Sequence, residues 1–463
     1  MVSRRIVRDT GYIDEEEILN SLKQAKTASK AQSLDIVEKS KSFAGLSPDE
    51  LAVLLMNNDP EVRDAVFEAA HSVKERIYGS RMVFFAPLYA SNTCVNNCLY
   101  CSFRKDNKDI VRKVLTEEEI ENETKNILNQ GHKRILVVVG ENPRLAGIDY
   151  IEKAVAAIYR TRSGKASIRR VNVNCAPLSA EEFRRLKAAK IGTYQIFQET
   201  YYRETYRQMH PSGPKRFYNW RIEAADRAMD AGLENVGIGP LFGLFDWKFE
   251  LMATLMHAEH LDSKFGIGPH SISISRLEPE SNAPAAENPP FTLTCEDMKR
   301  IAALLRLAVP YTEIILPTRE SPELRNQLYD LGVSQTSAGG GYAKAHHPET
   351  EQFPTGDTRS LAEMTRRMCH EGCIPSFCTA CYRSKRTSGR FMKLAKHGDI
   401  HKMCEPDALL SFKEYLIDYA DQATRVEGEK TIAERLEMLE PTIKERIRTL
   451  LAEVESGKRD VYV

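Results

Sequence analysis

Apolar and polar positions alternate with three different textures along the chain. In the first, up to about residue 80, Ile18, Leu19, Leu22 and Ala25 recur at helical spacing. Ser47-Pro48-Asp49-Glu50 forms a capping box with proline at the first helical position. Asp59-Pro60-Glu61 opens another helix that the pattern ends near Gly79. In the second texture, short apolar runs at 82–88, 134–139, 169–174, 193–198, 234–239, 271–275, 312–316 and 333–337 read as strands. Helical stretches lie between them, three with start signals: Thr116 with Glu119, Ser179 with Glu182, and Thr294 with Asp297. Strand–helix alternation predicts parallel strands joined by right-handed crossovers. Eight such units over about 260 residues match the size of a closed (β/α)8 barrel. In the third texture the alternation stops. Gly339-Gly340-Gly341-Tyr342 and the polar stretch to Thr358 read as a loop, followed by helices at 359–372, 406–424 and 430–456. The last two flank no chemistry of their own; Leu409, Leu410, Phe412, Tyr415, Leu416 and Tyr419 are spaced as core residues. The expected fold class is α/β: a (β/α)8 TIM-type barrel over 81–340, with N-terminal helices over 1–80 and a helical C-terminal domain over 341–463.

Composition narrows the function classes. The chain has 463 residues, with 65 Lys plus Arg against 65 Asp plus Glu. Neutrality gives no basic footprint for nucleic acid. No apolar run is long enough to span a bilayer, and Met1-Val2-Ser3-Arg4-Arg5 leads into acidic helix sequence rather than a signal segment. The expectation is a cytoplasmic protein without membrane or nucleic-acid partners. Its ten cysteines then read as ligands or buried thiols rather than disulfides.

The cysteine pattern points to a reaction. Cys94, Cys98 and Cys101 form a C-x3-C-x2-C array directly after the first strand. Three thiolates this close hold three corners of a 4Fe-4S cube, and with no fourth cysteine nearby one iron stays open. Zinc sites usually pair two C-x2-C units, which this is not. The array, with Tyr100 just before its third cysteine, resembles the radical-SAM signature. That resemblance implies S-adenosylmethionine on the open iron and its reductive cleavage to a 5′-deoxyadenosyl radical, with Tyr100 beside the cofactor.

A second group follows, Cys378-Thr379-Ala380-Cys381 and then Cys404 after twenty-two residues. Cys369 and Cys373 stand just upstream, so a four-thiolate zinc site of Cys369, Cys373, Cys378 and Cys381 is an open alternative. Together with the first motif and the barrel, the spacing resembles the radical-SAM tyrosine lyases. Within them it is closer to the FeFe-hydrogenase maturases than to the thiamin-pathway enzyme. In that family the ligands matching Cys378, Cys381 and Cys404 hold an auxiliary iron–sulfur cluster with an additional iron, and a histidine matching His270 stands near that iron. His270 precedes the sixth strand whereas Cys94 follows the first, which in a parallel barrel places them at opposite mouths.

The resemblance also assigns binding groups. Glu141, after the second strand in Gly140-Glu141-Asn142, corresponds to the acid that takes the methionyl amine. Gln198 and Glu199, after the fourth strand, match a segment that contacts the ribose or methionyl part. Arg221 sits where related barrels place an arginine for the cofactor carboxylate, with Arg216 and Arg227 close by. Gly237-x-Gly239 ends the fifth strand and lacks the context of a dinucleotide fingerprint. Arg319 and Ser337, after strands seven and eight, match the groups for the tyrosine carboxylate, with Tyr89 near its amine. A guanidinium fork suits a carboxylate in two-point fashion.

The implied activity is cleavage of L-tyrosine to p-cresol and dehydroglycine, then formation of CO and cyanide as iron ligands for the FeFe-hydrogenase active-site cluster. Implied partners are a reductant such as ferredoxin or flavodoxin and the other hydrogenase maturation proteins. The alternatives are a tyrosine lyase that stops at dehydroglycine, and an iron–sulfur scaffold that turns nothing over.

Overall fold

A computed structural model of the protein describes residues 11–280, 282–339, 355–383 and 388–463. Eight parallel strands run in chain order around a closed barrel. They are β1 (Arg81–Ser91), β2 (Arg134–Val139), β3 (Arg170–Asn174), β4 (Tyr194–Gln195), β5 (Val236–Ile238), β6 (Ser271–Ser273), β7 (Glu313–Leu316) and β8 (Gln335–Ser337). Closure is made by β8 on β1, with Val83 opposite Gln335, Phe84 opposite Thr336 and Phe85 opposite Ser337. All eight predicted strands are present: β1 is longer than predicted, β2 has the predicted bounds, and the other six are shortened. The fourth shrinks to two residues because the chain turns sharply at Glu199, whose φ is 74°.

The helix starts fall where the polar signals put them. Ser47, Thr116, Ser179 and Thr294 each cap a helix, with Glu50, Glu119, Glu182 and Asp297 completing the reciprocal bond. The helix Pro60–Tyr78 ends at Gly79, φ 68°. The C-terminal region differs from the expectation. Its long helices are three: His401–Asp418, which carries Pro406 inside it, Gln422–Glu437, and Pro441–Glu455. Proline at 441 starts a helix rather than lying within one, which divides the predicted 430–456 segment. Most of the predicted loop from Gly340 lies outside the described residues.

A ninth strand, β9 (Ile374–Ser376), was not predicted from the pattern. It runs parallel to the first residues of β1, with Arg81 opposite Ile374 and Val83 opposite Ser376. Pro375 in so short a run argues against a strand, but β9 is an edge strand with one neighbour, where a missing N–H is tolerated.

The apolar core lies between the barrel and its helices, with Tyr78, Phe84, Ile135, Val171, Ile272 and Ile314 among its fully buried members. The lumen is layered by strand alternation. Arg81, Arg134 and Glu313 face one mouth at the strand starts, and Phe85, Leu136 and Ile315 form a separate apolar cluster, four residues further along β1 and two further along β2 and β7. Val138, partly buried against that cluster, reaches the opposite mouth. Among the described residues no helix is long and apolar enough to cross a membrane.

Candidate functional site: two thiol-lined mouths

The loop after β1 carries Cys94, Cys98 and Cys101 into a cleft of about 800 Å³ at the C-terminal ends of the strands. Cys98 and Cys101 are buried, and Cys94 packs against the same apolar cluster. Burial pushes the Cys98 thiol up to about 12. The loop is held in place by Val95 N–H donating to Glu141 O (2.8 Å) and Asn97 N–H donating to Ser212 O (3.2 Å). Gly140 must be glycine: a Cβ there would stand 2.5 Å from Thr93 O.

Polar groups from several strand ends converge on the same cleft, as active sites of such barrels do. Asn96 Nδ2 donates to Glu141 Oε2 (2.6 Å) and lies 3.6 Å from Cys94 Sγ. Glu199 accepts from Lys215 Nζ (2.6 Å) and Arg221 Nη2 (3.3 Å). Burial works against the Arg221 charge, but Tyr206 and Glu199 outweigh it and hold its pKa above the ordinary value. Arg319 lines the cleft as well, its pKa lowered by burial.

The predicted residues divide. Glu141, Glu199, Arg221 and Arg319 line the cleft with the three cysteines. Tyr100, Gln198, Tyr89 and Ser337 do not. The Tyr100 hydroxyl is paired with His210 Nε2 (2.8 Å). Gln198 is buried with its side-chain nitrogen unpartnered. Tyr89 packs edge-on against Phe103, which does line the cleft. Ser337 ends β8 and its carbonyl accepts from Arg325 (2.6 Å). Asn96 and Lys215 were missed; Asn96 lies inside the cysteine motif itself, whereas Lys215 reaches the site through tertiary packing that no spacing encodes.

The second mouth lies at the strand starts. Cys378, Cys381 and Cys404 line a cavity of about 420 Å³ with Arg81, Arg134, Arg170, His270, Glu313 and Gln335. Cys378 stands two residues after the end of β9, so that strand carries the thiol to the barrel rim. Burial pushes Cys378 up to about 12, and a hydrogen bond to Cys381 followed by burial raises Cys404. Arg81 ion-pairs with Glu313, which also accepts from Ser334. Arg134 donates to Cys378 O (2.9 Å). His270 is buried, stacks at a tilt against Phe391 (4.8 Å), and has no partner at Nδ1. Burial first, then the charge of Arg170, lowers its pKa to about 3, so the ring is neutral and able to ligate. The arginines were not foreseen, although a signal exists: Arg81, Arg134 and Arg170 each stand first in an apolar strand run.

Both mouths suit iron–sulfur clusters by their donor sets: three cysteines outside any disulfide around each cavity, and at the second mouth a neutral imidazole with a free ring nitrogen. Among the described residues no three Cys, His, Asp or Glu side chains converge as ligands of a single ion. Cys369 and Cys373 do not line the cavity; Cys369 pairs with Thr431 instead. Both observations weigh against the four-thiolate zinc site.

A closed parallel barrel with a thiol triad after its first strand, faced by carboxylates and cations from later strand ends, is the architecture of a radical-SAM enzyme. Comparison with known proteins agrees. The Radical SAM superfamily model matches residues 88–256, and the Biotin and Thiamin Synthesis associated domain model matches residues 273–374. The 2-iminoacetate synthase of Salmonella typhimurium is 31% identical over 345 residues, covering 73% of this chain and 89% of that protein. A crystal structure of HydG, a maturase of the FeFe-hydrogenase, superimposes with a TM-score of 0.94 at 47% identity, covering 98% of this chain and 100% of that one. HydG from Carboxydothermus hydrogenoformans gives 0.82 at 41% identity, covering 94% and 97%. The chain belongs to the radical SAM superfamily, in the group that contains 2-iminoacetate synthase and the HydG maturases.

Proposed function

We propose that the protein is a tyrosine lyase of hydrogenase maturation, which cleaves L-tyrosine to p-cresol and dehydroglycine at the first mouth and converts the small fragment to CO and cyanide at the second. The observation that carries this reading is the pair of thiol triads at opposite ends of one barrel, on a fold shared along nearly its whole length with HydG. When bound, the first cluster and S-adenosylmethionine supply an electron and the 5′-deoxyadenosyl radical that abstracts hydrogen from the tyrosine amine.

The chain's own residues position and shield. Glu141 carries a carboxylate for the methionyl ammonium, held in orientation by Asn96. Glu199, Lys215 and Arg221 form a fixed charged triad on the cleft wall. Arg319 offers a buried guanidinium for a carboxylate, while Tyr89, edge-on to the cleft-lining Phe103, and Ser337, at the end of β8, stand behind the lining. At the second mouth Cys378, Cys381 and Cys404 would hold the auxiliary cluster, and His270 the additional iron. The apolar layer of Phe85, Leu136 and Ile315 between the mouths excludes water, which protects a hydrolysable imine in transit. A one-electron donor of the ferredoxin or flavodoxin type would reduce the first cluster, in the cytoplasm, and other maturation proteins would receive the product.

The test is anaerobic turnover of cluster-reconstituted protein with S-adenosylmethionine, dithionite and tyrosine, scoring p-cresol and trapped CO together. Both products are expected. Cresol without CO reduces the reading to a lyase that stops at dehydroglycine. Tyrosine left intact overturns it in favour of a cluster scaffold.

A further inference from the structure

The turn after β4 is fixed from behind by a polar stripe on a buried helix. Glu250, Thr254 and His257, at helical spacing on the helix Trp247–Phe265, are all buried. The Glu250 carboxyl takes the Thr200 hydroxyl on one oxygen and the Tyr201 N–H on the other (2.9 Å). Thr200 Oγ1 in turn accepts from Tyr202 N–H (3.2 Å). The Tyr201 hydroxyl meets His257 Nδ1 (3.0 Å), and the Tyr201 carbonyl accepts from the Tyr218 hydroxyl (2.8 Å). Glu250, Thr200 and Tyr201 are wholly inaccessible to solvent.

Immediately before this clamp stands Glu199 in the left-handed region, φ 74°. That conformation is unfavourable for a residue with a Cβ and persists only where its surroundings impose it. The carbonyl of Glu199 accepts from Leu241 N–H (2.7 Å), and its side chain faces Lys215 and Arg221 on the cleft wall. A carboxyl buried with no cation beside it is costly unless its hydrogen bonds are needed. The nearest charges to Glu250, Asp246 and Glu15, are both negative, and burial pushes its pKa up to about 8. Its two oxygens accept from the Thr200 hydroxyl and the Tyr201 N–H, one each.

We propose that Glu250 is a positioning residue for the cofactor-facing wall: through Thr200 and Tyr201 it imposes the left-handed turn at Glu199 and so aims that carboxylate, with Lys215 and Arg221, into the cleft where S-adenosylmethionine would lie. The inference deepens the proposed function and rests on it.

The experiment compares Glu250→Gln, Glu250→Leu and Thr200→Val in the full-length, cluster-reconstituted protein. It measures iron content, the S-adenosylmethionine dissociation constant by anaerobic equilibrium dialysis, and amide hydrogen exchange over residues 198–202. Glutamine keeps an oxygen acceptor and a second polar atom where the two carboxyl oxygens meet Tyr201 N–H and Thr200. Glu250→Gln therefore keeps affinity within about twofold of the parent, and Glu250→Leu weakens it on the order of tenfold with normal iron content and faster exchange at 199–202. Thr200→Val falls between them, and decides the matter if the leucine variant does not fold. Unchanged affinity and exchange in Glu250→Leu, or in Thr200→Val where that variant decides, overturns the inference. So does a glutamine variant as defective as the leucine one. A parent protein that does not bind S-adenosylmethionine overturns the proposed function first, which separates the two failures.

Discussion

The two mouths of the barrel are built on different principles. At the C-terminal mouth the charged groups are already paired with one another: Asn96 with Glu141, and Glu199 with Lys215 and Arg221. At the N-terminal mouth several buried donors are left over, among them His270 Nδ1, Arg81 Nε and Nη1, and Arg134 Nε. Buried polar atoms are rarely left unpaired, and where they are, a ligand is the usual reason. The charged groups named at the first mouth are preorganised by the protein alone, whereas those at the second leave donors over. Position on the strands explains the contrast. Loops after the strands are long enough to fold on themselves, while at the strand starts Arg81 and Arg134 reach Glu313, Gln335 and Cys378 O with only part of their donors.

The sharpest way to break this comparison is to empty one mouth at a time. Cys98→Ala should abolish cleavage of S-adenosylmethionine and p-cresol formation while iron at the other triad persists, measured by product analysis and iron content. Cys404→Ala should do the reverse, keeping p-cresol within about twofold and removing CO; parallel loss of both products would mean the mouths are not independent.

A smaller effect tests the unpaired surroundings of the second mouth. Arg81→Met leaves Glu313 buried without its cation, at a cost of about 3–5 kcal/mol, read from urea denaturation. The Glu313 carboxyl bears a burial penalty, but Arg81 holds it below the usual 4.5. Its stabilising contribution is therefore complete above that value and lost as the pH falls through the lowered one, and the variant should show a flatter acid limb. The smallest effect is expected away from both cavities. Cys373→Ala should leave metal content unchanged and cost about 1 kcal/mol or less; loss of bound zinc would revive the four-thiolate alternative.

How much was legible in the sequence follows the same division. The first mouth was largely readable, because C-x3-C-x2-C is a local pattern and Glu141, Glu199, Arg221 and Arg319 follow predicted strands. Lys215 was not, since it reaches Glu199 by way of a turn at Gly213, φ 94°, packed against Asn96. At the second mouth the cysteines and His270 were readable, but β9 was not. Three residues including a proline give no periodicity, and only pairing with β1 makes them a strand. The C-terminal helix boundaries failed for a related reason: Pro406 reads as a start but lies within a helix held by packing on β9 and on the N-terminal helices.

One strand sets the scale of the whole apparatus. β1 has eleven residues; its first three pair with β9, which delivers Cys378, and its last leads within three residues to Cys94. At roughly 3.3 Å per residue it is a ruler of about 33 Å. One continuous strand thus spans from the rim beside Cys378 to the loop of Cys94. On the proposed function, the two steps are linked by a molecule that travels that length, past the lumen walls.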